Sequence, residues 1–147
     1  MKFLQVFLLL YLLFVFPTIC AAEFETIAFV DSVKGDVMIV SSTMSVRAVQ
    51  NMKVIPGDSI KTGSNSSVGL IFDDDTVVSL GPGSEMEIDE FLFNPAERQL
   101  SFVARMIKGT FSFITGQIAK LAPQKVILET PGATLGVRGT KFVVEVD

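Results

Sequence analysis

Apolar and polar residues alternate with a period of two along almost all of this chain beyond its N-terminal segment, and that period limits the fold more than any single motif does. Val68-Gly69-Leu70-Ile71-Phe72 places Val68, Leu70 and Phe72 on one face, Glu85 to Asp89 alternates cleanly, and Thr110 to Phe113 does so again. Ile27 to Val33, Val37 to Val40, Val77 to Leu80, Leu100 to Ile107 and Val126 to Leu128 complete a series of short strands. Turn signals separate them at Lys34-Gly35-Asp36, Pro56-Gly57-Asp58, Gly63-Ser64-Asn65, Asp73-Asp74-Asp75, Gly81-Pro82-Gly83, Asn94-Pro95 and Pro131-Gly132. The single helical stretch is about one turn near Gln117 to Leu121. The expectation is an all-β domain of short strands in a rolled or solenoid-like stack, with a β-sandwich as the alternative. Gly35, Gly57, Gly83, Gly109 and Gly132 recur every 22 to 26 residues. A repeat of that length is what successive coils of a solenoid would show.

The N-terminus follows a different pattern. Lys2 precedes an apolar run from Phe3 to Phe16, then Pro17 and the small residues after Cys20, which is the three-part form of a secretory leader. Positions 1–22 read as a signal peptide cleaved after Ala22, and 23–147 as one domain. Cleavage leaves 125 of the 147 residues, enough for one sizeable core. Ile19 before Cys20 is the wrong neighbour for lipid attachment. An uncleaved anchor is the stronger rival, because Phe3 to Ala22 is nominally long enough to span a bilayer.

Loss of the leader removes the only Cys, the only Tyr and Lys2, leaving 11 basic against 16 acidic residues in a chain that has no His and no Trp. Without His or Cys there is no ordinary nucleophile–base pair, no thiolate and no imidazole metal site. No Ser is followed three residues later by Lys, the commonest arrangement of a His-free serine nucleophile. The inventory points away from an enzyme and from any cofactor or metal. Nucleic acid is a poor partner for an acidic chain whose aromatic residues are all Phe, and glycans lack their usual polar aromatic platform. Another protein, or another copy of the chain, is the least constrained partner. A membrane becomes a partner only if the leader is retained.

The last eighteen residues, Thr130 to Asp147, stack several backbone constraints closely. Pro131 fixes φ, Gly132, Gly136 and Gly139 permit left-handed or crowded backbone, and Phe142, Val144 and Val146 then alternate as a half-buried strand.

These residues together resemble the FecR-type periplasmic domain, first defined in the iron-dicitrate transport regulator. The resemblance rests on Gly35 after an opening strand and on Pro56 to Gly63, similar to the family's G-D-x-I-x-T-G at Gly57, Asp58, Thr62 and Gly63. It continues through Val68 to Ile88, similar to V-x-L-x-F-x-D-G-S-x-L-x-L-x-P-x-S-x-L-x-I. It ends at Thr130-Pro131 and Val137 to Phe142, with Gly136, Gly139 and Thr140 in structural roles. One departure is visible: Asp75 stands where the family usually has Gly at a hairpin tip, at a position suited to positive φ. The resemblance implies an exported, non-catalytic binding or scaffolding module. The alternative is a sensor or regulatory component that couples an extracytoplasmic ligand to a membrane partner.

Three features invite sharper readings. Asp73-Asp74-Asp75 suggests calcium but lacks the spaced ligands of a calcium loop, and reads as a solvated hairpin tip. Glu85, Glu87 and Asp89 share a strand face at about 7 Å per step, a span used by catalytic carboxylate pairs, yet a solvent face is the simpler expectation. Arg138, between Gly136 and Gly139, is either a clamp on backbone or on a carboxylate such as Asp58, or a contact for a partner or ligand. Phe91 and Phe93, beside Asn94-Pro95, are the expected apolar docking patch, while Phe72, Phe102, Phe111, Phe113 and Phe142 are expected in the core.

Overall fold

The computed structural model describes residues 25–147 and, ahead of them, only Phe3, Pro17, Thr18 and Cys20. The leader and its cleavage after Ala22 therefore lie outside the described residues. Among those residues no helix is long and apolar enough to cross a membrane. The period-two pattern becomes twelve strands: β1 Ala28–Lys34, β2 Val37–Val40, β3 Ser45–Arg47, β4 Lys53–Val54, β5 Ser59–Thr62, β6 Ser67–Phe72, β7 Val77–Leu80, β8 Glu85–Asn94, β9 Gln99–Ile114, β10 Val126–Thr130, β11 Ala133–Gly136 and β12 Lys141–Val146. One short α-helix, Gln117–Leu121, stands where one turn was expected. The fold is all-β, a single antiparallel sheet curled into a half-barrel.

Strand order runs β3-β2-β5-β8-β9-β7-β6-β1-β4, with β12 and β10 on the far side of β9 and β11 beyond β10. The registers show why so many strands are short. β1 lies on β6 while β2 lies on β5, and β7 and β8 both run antiparallel to β9, β7 along its end and β8 along its beginning. Consecutive short strands are thus halves of longer rows, each broken at one line across the sheet. That line passes through Gly35-Asp36, Gly63 to Ser66, Gly81 to Ser84 and Gly109. Only β9, at 16 residues, crosses it unbroken. The sheet folds along this crease, and the inner faces of its two halves meet.

The even glycine spacing has its origin here. Gly35, Gly83 and Gly109 lie on the crease, while Gly57 and Gly132 sit in turns. Because neighbouring rows run antiparallel, the spacing of the three crease glycines records a meander that returns repeatedly to one fold line. It does not record coils stacked in parallel, and among the described residues the only parallel pair is β9 with β10. The roll is the form adopted, and the continuous strand path distinguishes it from a sandwich of separate sheets.

Folding a sheet this sharply breaks ladder hydrogen bonds, and buried hydroxyls replace them. The Thr62 hydroxyl donates to the Gly81 carbonyl at 2.6 Å and accepts from the Ser84 N–H at 2.8 Å. Ser84 Oγ accepts from the Thr110 N–H at 3.0 Å, and Ser66 Oγ accepts from the Asp36 N–H at 2.8 Å. Thr62, Ser66 and Ser84 are all buried, and the backbone groups they satisfy would otherwise be orphaned at a cost of roughly 1–3 kcal/mol each. Gly109 bends β9 at φ +105°, and a Cβ there would overlap Ser84.

Inside the fold, Phe72 of β6 meets Phe91 of β8 and Phe102 of β9, with ring centroids 4.9 to 5.6 Å apart. These contacts join the two halves. Phe111 and Phe113 are buried beside them, and Phe142 is half-buried, stacked on Phe113 at 5.1 Å. Each fully buried Phe contributes roughly 1.5–3 kcal/mol by area, with about 0.5–1.5 kcal/mol more for a well-oriented aromatic pair.

Candidate functional site

The family-motif residues are occupied in holding backbone. Gly57 donates its N–H to the Ile88 carbonyl at 2.8 Å, and the Asp58 carbonyl accepts from the Ile88 N–H at 3.0 Å, so this turn is fastened to β8. The Asp58 carboxylate caps the same turn, accepting from the Ile55 N–H at 3.0 Å. Burial pushes the Asp58 carboxyl above the ordinary carboxylate range, and the Ile55 hydrogen bond offsets part of that rise. Gly63 joins two rows, donating to the Asp36 carbonyl and accepting from the Gly83 N–H. Thr130 and Pro131 form the β10–β11 hairpin, in which the Thr130 hydroxyl donates to the Ala133 carbonyl at 3.2 Å. Gly136 pairs with Ile127, Gly139 adopts φ +107°, and the Thr140 carbonyl accepts from the Thr115 N–H at 2.8 Å.

Arg138 stands apart from this pattern. It is exposed and makes no ion pair or side-chain hydrogen bond among the described residues. The expected clamp on Asp58 is not formed, because Asp58 is buried in its own turn on β8. Arg138 instead lies on the Val137 to Gly139 turn at a cleft of about 370 Å3, whose walls include Ala119, Pro123 and Gln124.

Phe91 is corrected from docking patch to core. It is only 6% exposed and sits in the Phe72–Phe102 cluster. Strict alternation from Met86 and Ile88 would have turned Phe91 outward, but the register shifts between Ile88 and Glu90, and the extra residue Asp89 reverses the parity beyond it. Leu92 is the outward apolar residue as a result. Phe93 is half-buried and lines a small pit of about 150 Å3 with Glu25, Ile27, Asp73, Asn94 and Gln99. Partial burial raises the Asp73 carboxyl above its ordinary range, and the negative charges of Glu25 and Asp74 add to the rise.

The acidic hairpin tip is also corrected. Asp73 and Asp75 are exposed, but Asp74 is fully buried. Its carboxylate accepts from the Thr76 N–H, the Thr76 hydroxyl and the Ile118 N–H at 2.8 to 3.2 Å, tying the β6–β7 tip to the start of the short helix. Gly116 makes room for this knot, since a Cβ there would collide with the Asp74 carbonyl and the Thr76 nitrogen. One signal in the sequence did point to it: Phe72, Asp74, Thr76 and Val78 share the inward parity.

The strand face bearing Glu85, Glu87 and Asp89 is structural. Arg105 lies among three carboxylates, 2.9 Å from Asp89, 3.7 Å from Glu87 and 3.9 Å from Glu129, while Lys61 pairs with Glu85 at 3.4 Å. These partly exposed pairs each contribute about 0–1 kcal/mol, but they leave no free carboxylate pair for acid–base work. Among the described residues no group of three or more His, Cys, Asp or Glu side chains could hold a metal.

Fold and motif together define a rolled all-β domain whose most distinctive residues maintain turns and a crease. The family model described as FecR protein matches residues 58–147, and the chain belongs to that family. Its members are typically associated with the bacterial envelope and are regulatory, not catalytic. No curated protein and no solved structure matches the chain. The sheet extends upstream of the matched region, because β1 and β2 complete the rows begun by β6 and β5.

Proposed function

We propose that this chain is an exported, non-catalytic binding module of the cell envelope that docks a partner protein at the Arg138 turn. The observation that carries the reading is the exposed Arg138 guanidinium, without a partner among the described residues, beside a cleft walled by Ala119, Pro123 and Val137. A carboxylate next to a small apolar side chain on another protein suits that surface, since a guanidinium makes bidentate bonds to a carboxylate. Family membership favours a regulatory use of such docking. If the N-terminal apolar segment is retained as an anchor, the chain becomes the sensor component of a membrane complex.

The test is crosslinking in the native envelope from a photoreactive residue placed at Val137, with and without Arg138→Glu. A specific adduct that Arg138→Glu abolishes while leaving the thermal midpoint unchanged supports the reading. An adduct indifferent to Arg138→Glu refutes this site, and a large fall in thermal midpoint reinstates the structural clamp.

A further inference from the structure

Four strands form edges among the described residues, and they are not equivalent. β3, β4 and β11 have three, two and four residues, short enough to offer little template for another strand. β12 has six residues and pairs only with β9. Its N–H and C=O groups alternate in direction. Thr115 donates to the Thr140 carbonyl, and these two residues stand opposite one another in the β9–β12 register. The hydrogen-bonded positions facing β9 are therefore Thr140, Phe142, Val144 and Val146. Lys141, Val143 and Glu145 present their backbone groups to the open edge.

We propose that β12 is the docking edge for a second copy of this chain, paired antiparallel across a two-fold axis at Val143. In that register Val143 faces its own counterpart, and Lys141 of each copy faces Glu145 of the other. All three positions belong to the set whose backbone groups point outward, so the hydrogen-bond phase and the charge pattern select the same alignment. A parallel pairing would set Lys141 against Lys141. Val143 is 65% exposed, and the pairing covers it. The arrangement is isologous and consumes both edges, so it closes at a dimer and does not grow into a fibre. It rests on the edge strand alone, independently of the Arg138 docking reading, and either can fail without the other.

Sedimentation of the purified full chain across a concentration series tests this. The expected result is a monomer–dimer equilibrium that Lys141→Glu or Glu145→Lys weakens by about tenfold or more, since each places two like-charge pairs across the axis. An equimolar mixture of the two variants should recover association as a heterodimer, because each then supplies what the other lacks. Val143→Pro should abolish the dimer and keep the native circular dichroism, as the Val143 N–H serves no bond to β9. A chain that stays monomeric up to about 1 mM, or a dimer that neither charge reversal weakens, overturns the proposal. If Val143→Pro fails to fold, the charge-reversal mixture still decides.

Discussion

The crease and the C-terminal limb use the same residue types, glycine and small hydroxyl side chains, in opposite ways. At the crease, Gly109 is required because Ser84 occupies the space a Cβ would take, and Thr62, Ser66 and Ser84 are buried with each hydroxyl bonded to backbone of a neighbouring row. In the limb from β10 onward, Gly132, Gly136 and Gly139 have no atom within 4 Å of a would-be Cβ, and the Thr130 hydroxyl bonds only within its own turn. Gly35 and Gly109 at the crease each resolve a collision between rows, against Ser66 and Ser84, while Gly83 there meets nothing and supplies only its positive φ. In the limb only Gly139 has a conformational need, through its positive φ. A motif of glycines therefore says where a backbone can bend, while the neighbouring strand decides whether it must.

The largest effect expected from this contrast is in the aromatic core that the crease closes upon. Phe102→Ala removes a ring touching both Phe72 and Phe91 and should cost about 3–5 kcal/mol in urea denaturation. Val143→Ala in the limb should stay within about 0.5 kcal/mol in dilute solution. Similar losses at the two positions would remove the distinction between a packed body and a lightly held limb.

Glycine substitutions probe the contrast more directly. Gly109→Ala combines a left-handed backbone penalty of about 1–2 kcal/mol with overpacking of about 1–3 kcal/mol, so a loss of about 2–5 kcal/mol is expected. Ser84→Gly in the same chain should not rescue it, since the Ser84 Cα also lies 2.5 Å from the added Cβ and the Thr110 N–H would lose its acceptor. Gly136→Ala should change the denaturation midpoint very little. If Gly109→Ala is as mild as Gly136→Ala, the crease is not a close contact.

Much of this architecture was legible in the sequence, and the failures have specific causes. The inward residues of β6 and β7 follow from parity alone, but of the Pro-Gly turns only Pro131-Gly132 marks a reversal, between β10 and β11, while Pro82-Gly83 lies on the crease between two strands of one row. Phe91 departs from strict alternation because one bulged residue, Asp89, inverts the parity, and nothing local in Glu85 to Phe93 signals a bulge. Asp74 was misread because a carboxylate at a hairpin tip normally faces water. Its partners Thr76 and Ile118 come together only when the short helix folds back on the tip. The crease could not be seen at all, since its bonds join residues such as Thr62 and Ser84, 22 positions apart. At the candidate site, Arg138 stands out in the sequence by its glycine neighbours, but its separation from Asp58 depends on the tertiary fold.

Asp58, in the turn fastened to β8, allows the packed body of the fold to be examined by pH. Its carboxyl is raised above the ordinary range, chiefly by burial, so the folded protein holds a proton that the unfolded chain has released. The stability associated with this group is complete below the ordinary carboxylate pKa and is lost as pH rises through the higher folded value. Asp58→Asn keeps an acceptor for the Ile55 N–H and removes the charge. Its stability relative to the parent should therefore grow across that window and level off toward neutral pH. An offset between the two proteins that is constant from pH 3 to about pH 7 would show that Asp58 does not titrate differently on folding.

A small gain in stability is expected at the tip that joins the two regions. Asp75 adopts φ +69°, the left-handed conformation that Gly takes without penalty, so the hairpin has the form expected of an Asp-Gly tip with a side chain in the way. Relief of that strain is opposed by two terms. Asp75 accepts from the Gln117 side-chain amide at 2.8 Å, an exposed bond that Gly would lose, and Gly gives the unfolded chain more freedom. Strain relief exceeds both because Asp still pays part of the left-handed penalty while the lost bond is solvent-exposed. Asp75→Gly should raise stability by about 0.5 kcal/mol, measured as a higher urea midpoint at unchanged slope. A lowered midpoint would mean that the Asp75–Gln117 bond, linking the β6–β7 tip to the helix that leads into the limb, outweighs the backbone strain.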